Sequence, residues 1–233
     1  MHPKWLHFRY KLFSFRPRII ELAREQVLAQ RPQQARLLDL GCGDGEYLLR
    51  FRDLWLHPVG LELSFPRLQQ ARQHVLDVAQ ASGTELPFPD DAFDMITVFH
   101  VLHHVADYGR VLSEMQRCLA PDGVIFMIET TTDHPLLRLG RQIHPVWQGD
   151  EVEVNWRFDE LTTILQAGGF RVAENGRFNH LFFLWEMLPL AFWPLELFTP
   201  IFIYLDLLLA KLFPQKGAHC YFVLKQNREL SGS

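Results

Sequence analysis

The chain has 233 residues, of which 48% are hydrophobic, and this is enough for one domain (1–233) with a large core. Its net charge of −4 at pH 7 argues against a general affinity for nucleic acid, but the charge is unevenly distributed. Residues 1–31 carry seven basic and two acidic side chains, a net charge of +5 that leaves −9 for the remainder. Such a segment is either a surface for an anionic partner or the solvated face of a terminal helix.

The first 16 residues interleave aromatic and basic side chains. A helix is predicted to begin near Pro17, because proline suits a first helical turn, and to end before Pro32. Residues 1–31 are therefore interpreted as a basic aromatic arm followed by a helix. Charges occur throughout the first twenty residues without an apolar core, and this is not the pattern of a secretory signal.

The chain contains three cysteines, which lie far apart and lack the spacing of metal ligands: Cys42, Cys118 and Cys220. Cysteines in this pattern are typical of reduced thiols in an intracellular protein. We therefore expect a cytoplasmic location, with peripheral association at the inner face of the membrane as a further expectation from the apolar segment described below.

From residue 36 the pattern alternates between strand and helix. Runs such as 95–99 and 124–128 are apolar without alternation, which is typical of strands buried on both faces of a parallel sheet. The sequence predicts an α/β fold, a Rossmann-like, doubly wound, seven-stranded and mostly parallel sheet with helices on both faces and its ligand at the carboxyl ends of the strands. Strands are predicted at 36–40, 58–63, 75–79, 93–99, 123–129, 170–177 and 218–225, and helices at 45–54, 65–73, 107–118 and 158–167. The segment 121–123, Pro-Asp-Gly, is predicted to form a tight turn into the fifth strand.

Two stretches are additional to this sheet. Residues 131–156 are rich in His, Pro and Trp and are predicted to lie above the carboxyl edge of the strands. Residues 181–214 are strongly apolar, but four charges and three prolines interrupt them, so they lack the about 20 consecutive apolar residues that a membrane span needs. Residues 200–213 are predicted to form a helix that is buried, paired with another chain or laid in a lipid interface.

The first predicted strand leads into a glycine-rich turn, Leu-Asp-Leu-Gly-Cys-Gly-Asp-Gly at 38–45. Glycines after a strand let the backbone approach a ligand closely. Asp39 places a negative charge beside the turn, which favours a ligand with a cationic amino group and disfavours a pyrophosphate. A nicotinamide site expects a third glycine at position 46, where this chain has Glu46.

This turn resembles the first motif of class I S-adenosylmethionine-dependent methyltransferases, in particular the small-molecule, type 11-like group. Further segments agree in order and spacing, and the resemblance covers roughly residues 36–130, 158–170 and the last strand. The agreeing segments are Glu62 at the end of the second strand, 81–88, 89–94, 98–104 and 119–124.

The resemblance implies S-adenosylmethionine as the cofactor and gives roles to one group of residues at the first two strands. Asp39 and the backbone of Gly41, Cys42 and Gly43 would hold its methionine end. Glu62, 19 residues after Gly43, would accept hydrogen bonds from both ribose hydroxyls.

A second group would surround the adenine and the methyl group. Leu63 would pack on the adenine, and the backbone amide of Gly83 would face its edge. Phe99 and His100 would line the methyl-donor pocket. Ser82 stands where the family usually has an aspartate, and a neutral acceptor binds the adenine amino group more weakly, by ~1 kcal/mol.

Histidines are the candidates for acid–base chemistry. A general base is needed only if the acceptor is a hydroxyl or a protonated amine, and His134 in the first insertion is the predicted base. His100, His103 and His104 could supply three metal ligands, but no cysteine or paired carboxylate joins them, so no metal is expected. His103 and His104 are instead expected to pack at the junction between strand and helix.

The predicted function is methyl transfer from S-adenosylmethionine to the oxygen or carbon of a small, hydrophobic or lipid-like acceptor. Residues 181–214, together with the basic aromatic residues 1–16, would form an acceptor tunnel or a face that docks on a membrane surface. Alternatively, 181–214 caps the domain and forms a homodimer while the acceptor is a water-soluble metabolite, or the chain is a cofactor-binding, non-catalytic partner subunit. Nucleic acid is not an expected partner, because the chain has no long basic patch.

Overall fold

The structure is a computed structural model of the chain, and it describes residues 35–51, 57–74, 77–134, 154–180 and 199–227 together with Glu25 and Ala29. The predicted N-terminal arm therefore lies outside the described residues apart from those two positions. Most of the first insertion (135–153) and the first part of the apolar segment (181–198) also lie outside them.

The described residues alternate between strand and helix as the sequence predicts. The strands are β1 (Arg36–Leu40), β2 (His57–Glu62), β3 (Val78–Gln80), β4 (Phe93–Phe99), β5 (Leu119–Thr130), β6 (Phe170–Phe178) and β7 (His219–Gln226). The α-helices are α1 (Glu46–Phe51), α2 (Phe65–Arg72), α3 (Tyr108–Cys118), α4 (Phe158–Ala167) and α5 (Thr199–Leu212), and a short 3₁₀ turn spans Leu102–His104.

The seven strands form one sheet in the order β3-β2-β1-β4-β5-β7-β6. Neighbouring strands from β3 to β5 are parallel, and β7 runs antiparallel to both β5 and β6. The prediction of a doubly wound, mostly parallel sheet is confirmed. The chain reverses its direction of winding between β1 and β4, and in such sheets the ligand crevice lies at the carboxyl ends of these strands.

The core consists of two clusters of buried side chains, a larger and a smaller one, one on each face of the sheet. Successive side chains of β4 point to opposite faces, so Ile96 and Val98 join the larger cluster while Met95 and Phe99 join the smaller one. Helices α3 and α4 pack their apolar faces on the larger cluster, and Tyr47 of α1 packs on the smaller one. Helices therefore cover both faces, as the unalternating apolar strands require.

Two strands, β3 and β5, depart from their predicted bounds by more than one residue. The sequence predicts β3 at 75–79, whereas the strand is only three residues long, Val78–Gln80, with 75–76 outside the described residues. The predicted turn at 121–123 lies within β5, because the register shifts between the pairs Phe93↔Leu119 and Met95↔Val124. The additional residues form a bulge, where the missing N–H of a proline breaks no ladder hydrogen bond.

The loop before β4 is held against α3 by a charged network. Glu114 Oε2 accepts a hydrogen bond from the backbone amide of Leu86 (2.8 Å), and Arg117 donates to the carbonyls of Leu86 (3.1 Å) and Phe88 (2.8 Å). The hydrogen bond from Arg117 holds the pKa of Glu114 at about 2, so this carboxylate is ionised at neutral pH. The network holds the end of a loop whose first residues, 81–83, form one wall of the site described next.

Candidate active site

A cleft with a volume of about 710 Å³ opens at the carboxyl ends of β1, β2 and β4. Pockets for small molecules and cofactors fall between ~300 and ~1,000 Å³. The loops after β1, β2, β3 and β4 supply its walls, and the cleft brings together six of the predicted cofactor residues: Gly41, Glu62, Leu63, Ser82, Gly83 and His100. Arg67, on α2, also lines the cleft, and nothing in the sequence pattern distinguishes it from an ordinary surface arginine.

Two hydrogen bonds orient the side chain of Glu62 in the cleft. It is 7% exposed; its Oε2 accepts a hydrogen bond from the Gly43 amide (2.9 Å) and its Oε1 accepts one from the Ser64 amide (2.7 Å). A carboxylate offers about four acceptor positions, so each oxygen can also accept a ribose hydroxyl. Glu62 therefore joins β2 to the glycine turn and fits its predicted role.

The glycine turn contributes space rather than hydrogen-bond donors. The amides of Gly41 and Cys42 donate to the carbonyl of Leu61 (2.8 and 3.0 Å), and the amide of Gly43 donates to Glu62. A Cβ on Gly41 would lie 2.5 Å from Val101 Cγ2, whereas a Cβ on Gly43 would meet nothing within 4 Å. Both glycines have positive φ, so the turn favours glycine at these positions and lets a ligand approach the backbone closely.

The side chain of Cys42 is buried and has no part in this approach. Its Sγ would lie 2.7 Å from a Cβ on Gly60 of β2, so the side chain packs against the sheet. Burial raises the pKa of the Cys42 thiol, which therefore stays protonated at neutral pH. Cys118 and Cys220 are likewise free and buried.

Asp39 is a buried carboxylate of which one oxygen is hydrogen-bonded within the described residues and the other is not. It is 1% exposed, and its Oδ1 accepts a hydrogen bond from Thr97 Oγ1 (2.8 Å). Within the described part of the chain, its Oδ2 has no hydrogen-bond partner. Burial and the nearby charge of Glu62 raise the pKa of Asp39 to about 7. A half-paired buried carboxylate is costly without a positive charge, so Asp39 fits the cationic amino group of S-adenosylmethionine.

Two predicted residues are engaged differently from the simple expectation. The Phe99 ring packs on Tyr47 (4.4 Å between centroids) and Phe126 (6.0 Å) in the smaller core cluster, and it is not among the residues that line the cleft. Ser82 Oγ lies 2.7 Å from Thr84 Oγ1 and accepts a hydrogen bond from the Thr84 amide (3.2 Å), so a local turn uses part of its bonding capacity. Leu63, in contrast, is 65% exposed on the cleft wall, where it can cover an adenine.

Glu129, which the sequence reasoning missed, orients the loop after β4. It is fully buried; its Oε1 accepts from the amides of Val101 (3.0 Å) and Leu102 (2.7 Å), and its Oε2 accepts from His103 Nδ1 (2.6 Å). His103 thus lies at the strand–helix junction as expected. The signal that could have found Glu129 is an acidic residue at the end of the apolar run of β5.

The carboxyl ends of β5 and β6 and the start of β7 bring further histidines to the same edge of the sheet. The rings of His100 and His219 lie 5.3 Å apart, and Asn179 Nδ2 donates to His219 Nδ1 (2.8 Å). His100 has a φ of +57°, which turns it from the end of β4 into the cleft. No group of three or more His, Cys, Asp or Glu side chains suited to a metal ion occurs among the residues that the structure describes.

His134, the predicted base, follows β5 at this edge. Burial lowers its pKa from the usual value, and the charges of His180 and Arg177 lower it further. A lowered pKa keeps the imidazole neutral at pH 7, which a general base requires. His144, in the same insertion, lies outside the described residues.

Replacing His134 with alanine is expected to lower kcat by about 10²–10⁴ without weakening S-adenosylmethionine binding, if a hydroxyl is the acceptor. The wild-type rate should fall as the pH drops through the lowered pKa of His134, because the protonated imidazole cannot accept a proton. The rate of the alanine variant should not show this pH dependence. Steady-state kinetics over pH and cofactor titration calorimetry measure both effects, with His74→Ala, an exposed histidine on the surface, as the control. Full activity of the His134 variant would remove it as the base.

The sheet topology, the glycine turn, the carboxylate at the end of β2 and the buried carboxylate at the end of β1 together define a class I S-adenosylmethionine-dependent methyltransferase. A sequence profile described as "Methyltransferase domain" matches residues 10–175. The chain belongs to this family.

Its curated relatives include the demethylmenaquinone methyltransferase of Lactiplantibacillus plantarum, which is 31% identical over 139 residues (54% of this chain and 56% of that protein). The enzyme of the same name from Thermus thermophilus is 34% identical over 123 residues (49% of this chain and 53% of that protein). The chain thus spans about half the length of the curated relatives it matches. The solved structure of a methyltransferase from Archaeoglobus fulgidus shares the fold, with a TM-score of 0.63, 18% identity and coverage of 93% of this chain and 99% of that one.

Proposed function

We propose that this protein transfers the methyl group of S-adenosylmethionine to an oxygen or a carbon of a small, hydrophobic, lipid-like acceptor, such as a prenylated quinone precursor. The observation that carries the proposal is the placement of an apolar helix at the ligand edge of the sheet. α5 lies in the connection from the carboxyl end of β6 to the start of β7, and several of its apolar side chains are exposed. The names of the curated relatives support the same acceptor class.

The connection that carries α5 is tied to the sheet at this edge. His180, just after β6, donates from Nε2 to the carbonyl of Phe213 at the end of α5 (2.9 Å). The amide of Ala218, just before β7, donates to the carbonyl of Asn179 (3.0 Å). An acceptor with an apolar tail therefore has an apolar surface at the edge to which its reactive head must come.

The task of the protein residues is to position the reactants and to exclude water. S-adenosylmethionine, when bound, supplies a methyl group that its sulfonium has already activated. Glu62, Asp39 and the glycine turn would hold the cofactor, and Leu63 and the loop after β4 would shield it. Positioning of this kind can supply several kcal/mol, up to ~7–11 kcal/mol in ideal cases. His134 would accept a proton only where the acceptor is a hydroxyl or a protonated amine.

A series of acceptors with one quinol head and zero, one or two isoprene units tests the acceptor class. We expect kcat/KM to rise by at least about tenfold for each isoprene unit, because burial of only about two methylene groups accounts for that factor. A kcat/KM independent of tail length would contradict a hydrophobic acceptor. Absence of transfer to every acceptor, although calorimetry shows cofactor binding, would favour a non-catalytic partner subunit.

A further inference from the structure

Helix α5 (Thr199–Leu212) buries its acidic side chain and exposes apolar ones, which is the opposite of an ordinary surface helix. Its only acidic residue, Asp206, is 1% exposed, although a surface helix usually turns its charges to the solvent. Its large apolar side chains point outwards instead, with Tyr204 at 67% and Leu212 at 61% exposure. The exposed set is Ile201, Tyr204, Leu205, Leu207, Leu208 and Leu212. The spacing of these residues places them on one broad face of the helix, which we call the α5 face.

The exposed charges of residues 199–218 have one sign. Residues 199–218 contain three charged side chains, and the two lysines, Lys211 and Lys216, are exposed while Asp206 is buried. The outer surface of this segment is therefore apolar and positive. A lysine can extend its stem along apolar surface and keep its ammonium in a polar layer, and a tyrosine is similarly amphipathic. This surface complements the boundary between hydrocarbon and anionic headgroups in a bilayer.

The size of the α5 face argues against a second copy of the chain as its partner. A helix of 14 residues is ~21 Å long and ~10 Å wide, so the face offers roughly 200 Å². A stable protein interface takes ~20–30 residues from each partner, whereas the α5 face has six. A bilayer surface sets no such minimum, because an interfacial helix sinks its apolar face only ~5–10 Å into the headgroup region.

No helix among the described residues has the length and apolar character needed to cross a membrane. We infer that the α5 face docks the protein on the surface of an anionic bilayer, with its leucines at the acyl boundary and Lys211 and Lys216 among the headgroups. Because α5 is attached at the carboxyl edge of the sheet, docking brings the edge with the cleft towards the bilayer. This inference holds whatever the acceptor is, and its test needs neither cofactor nor acceptor.

Flotation of the purified full-length protein with vesicles tests the inference. We expect the protein to float with vesicles of phosphatidylethanolamine and phosphatidylglycerol, and to float at least about tenfold less with vesicles of phosphatidylcholine alone. The double substitution Ile201→Glu with Leu212→Glu, at two of the most exposed positions of the face, should reduce binding to the anionic vesicles by at least about tenfold. Circular dichroism and cofactor affinity should stay unchanged in this variant, because both residues are exposed and neither lines the cleft.

A matched control adds the same two charges away from the α5 face, by Gln69→Glu with Gln70→Glu on the exposed side of α2. The control variant should float like the wild type. Wild-type protein that stays unbound at every vesicle composition would overturn the inference, as would undiminished flotation of the Ile201/Leu212 variant. A dimer in solution that this variant dissociates, without any change in flotation, would assign the face to a second copy and also overturn it.

Discussion

Replacing Glu62 with glutamine is expected to reduce the affinity for S-adenosylmethionine by about 100-fold or more. The carboxylate can accept two ribose hydroxyls while it holds the amides of Gly43 and Ser64. Glutamine has one acceptor oxygen, and its amide nitrogen would face one of the two backbone donors. A hydrogen bond to a charged group contributes ~1.5–3 kcal/mol, so the loss of about two such bonds accounts for the factor.

Isothermal titration calorimetry of the Glu62→Gln variant measures this loss. Glu160→Gln, an exposed residue of α4, removes the same charge far from the cleft and should bind like the wild type. If both variants bind the cofactor as tightly as the wild type, Glu62 does not bind the ribose, and the assignment of the cleft must be revised.

Replacing Asp39 with asparagine is expected to have opposite effects on cofactor binding and on stability. The ionised carboxylate attracts the amino group of the cofactor, so the neutral amide should weaken binding. Because the pKa of Asp39 is raised to about 7, the wild-type affinity should fall as the pH drops below 7, by up to about tenfold per pH unit. The affinity of the Asp39→Asn variant should lack this dependence, which calorimetry at several pH values measures.

The sign of the stability effect follows from the same pKa. An unfolded aspartate ionises near its ordinary value of 3.8, whereas folded Asp39 ionises near 7. Between these pH values the folded state holds an additional proton, so the free energy of unfolding declines as the pH rises from about 4 to about 7. At pH 8 the Asp39→Asn variant without cofactor should therefore be more stable, by roughly 2 to 4 kcal/mol. Denaturant unfolding measures the free energy of unfolding of both proteins. An Asp39→Asn variant that is less stable than the wild type at pH 8 would contradict the claim that the buried charge destabilises the folded state.

The pattern of the sequence is sufficient to predict the sheet and its ligand edge. Unalternating apolar runs such as 95–99 and 124–128 indicate buried parallel strands, and the topology confirms them. The spacing between Gly43 and Glu62 follows from one strand–helix–strand unit, and their hydrogen bond is the physical reason that this spacing matters. Motifs that depend on a single local unit are therefore visible in the sequence.

Features that depend on the direction of a side chain are not visible in the sequence. Phe99 belongs to a run that is apolar on both faces, so its pattern does not reveal that the ring faces the smaller core cluster. The Ser82 hydroxyl turns to Thr84, a local contact that the order and spacing of the motifs do not reveal. Glu129 and His103 lie on different elements, 26 residues apart, and only the pairing of β4 with β5 brings them together.

Transfer of a labelled methyl group tests the central claim, that this methyltransferase modifies a hydrophobic acceptor, most directly. The protein is incubated with S-adenosylmethionine labelled on its methyl group and with a whole-cell extract, which is then separated into organic, aqueous and macromolecular fractions. We expect label in the organic fraction with the wild-type protein and far less with Glu62→Gln. Label confined to the aqueous or macromolecular fraction, or absent from all three although the cofactor binds, would contradict the claim.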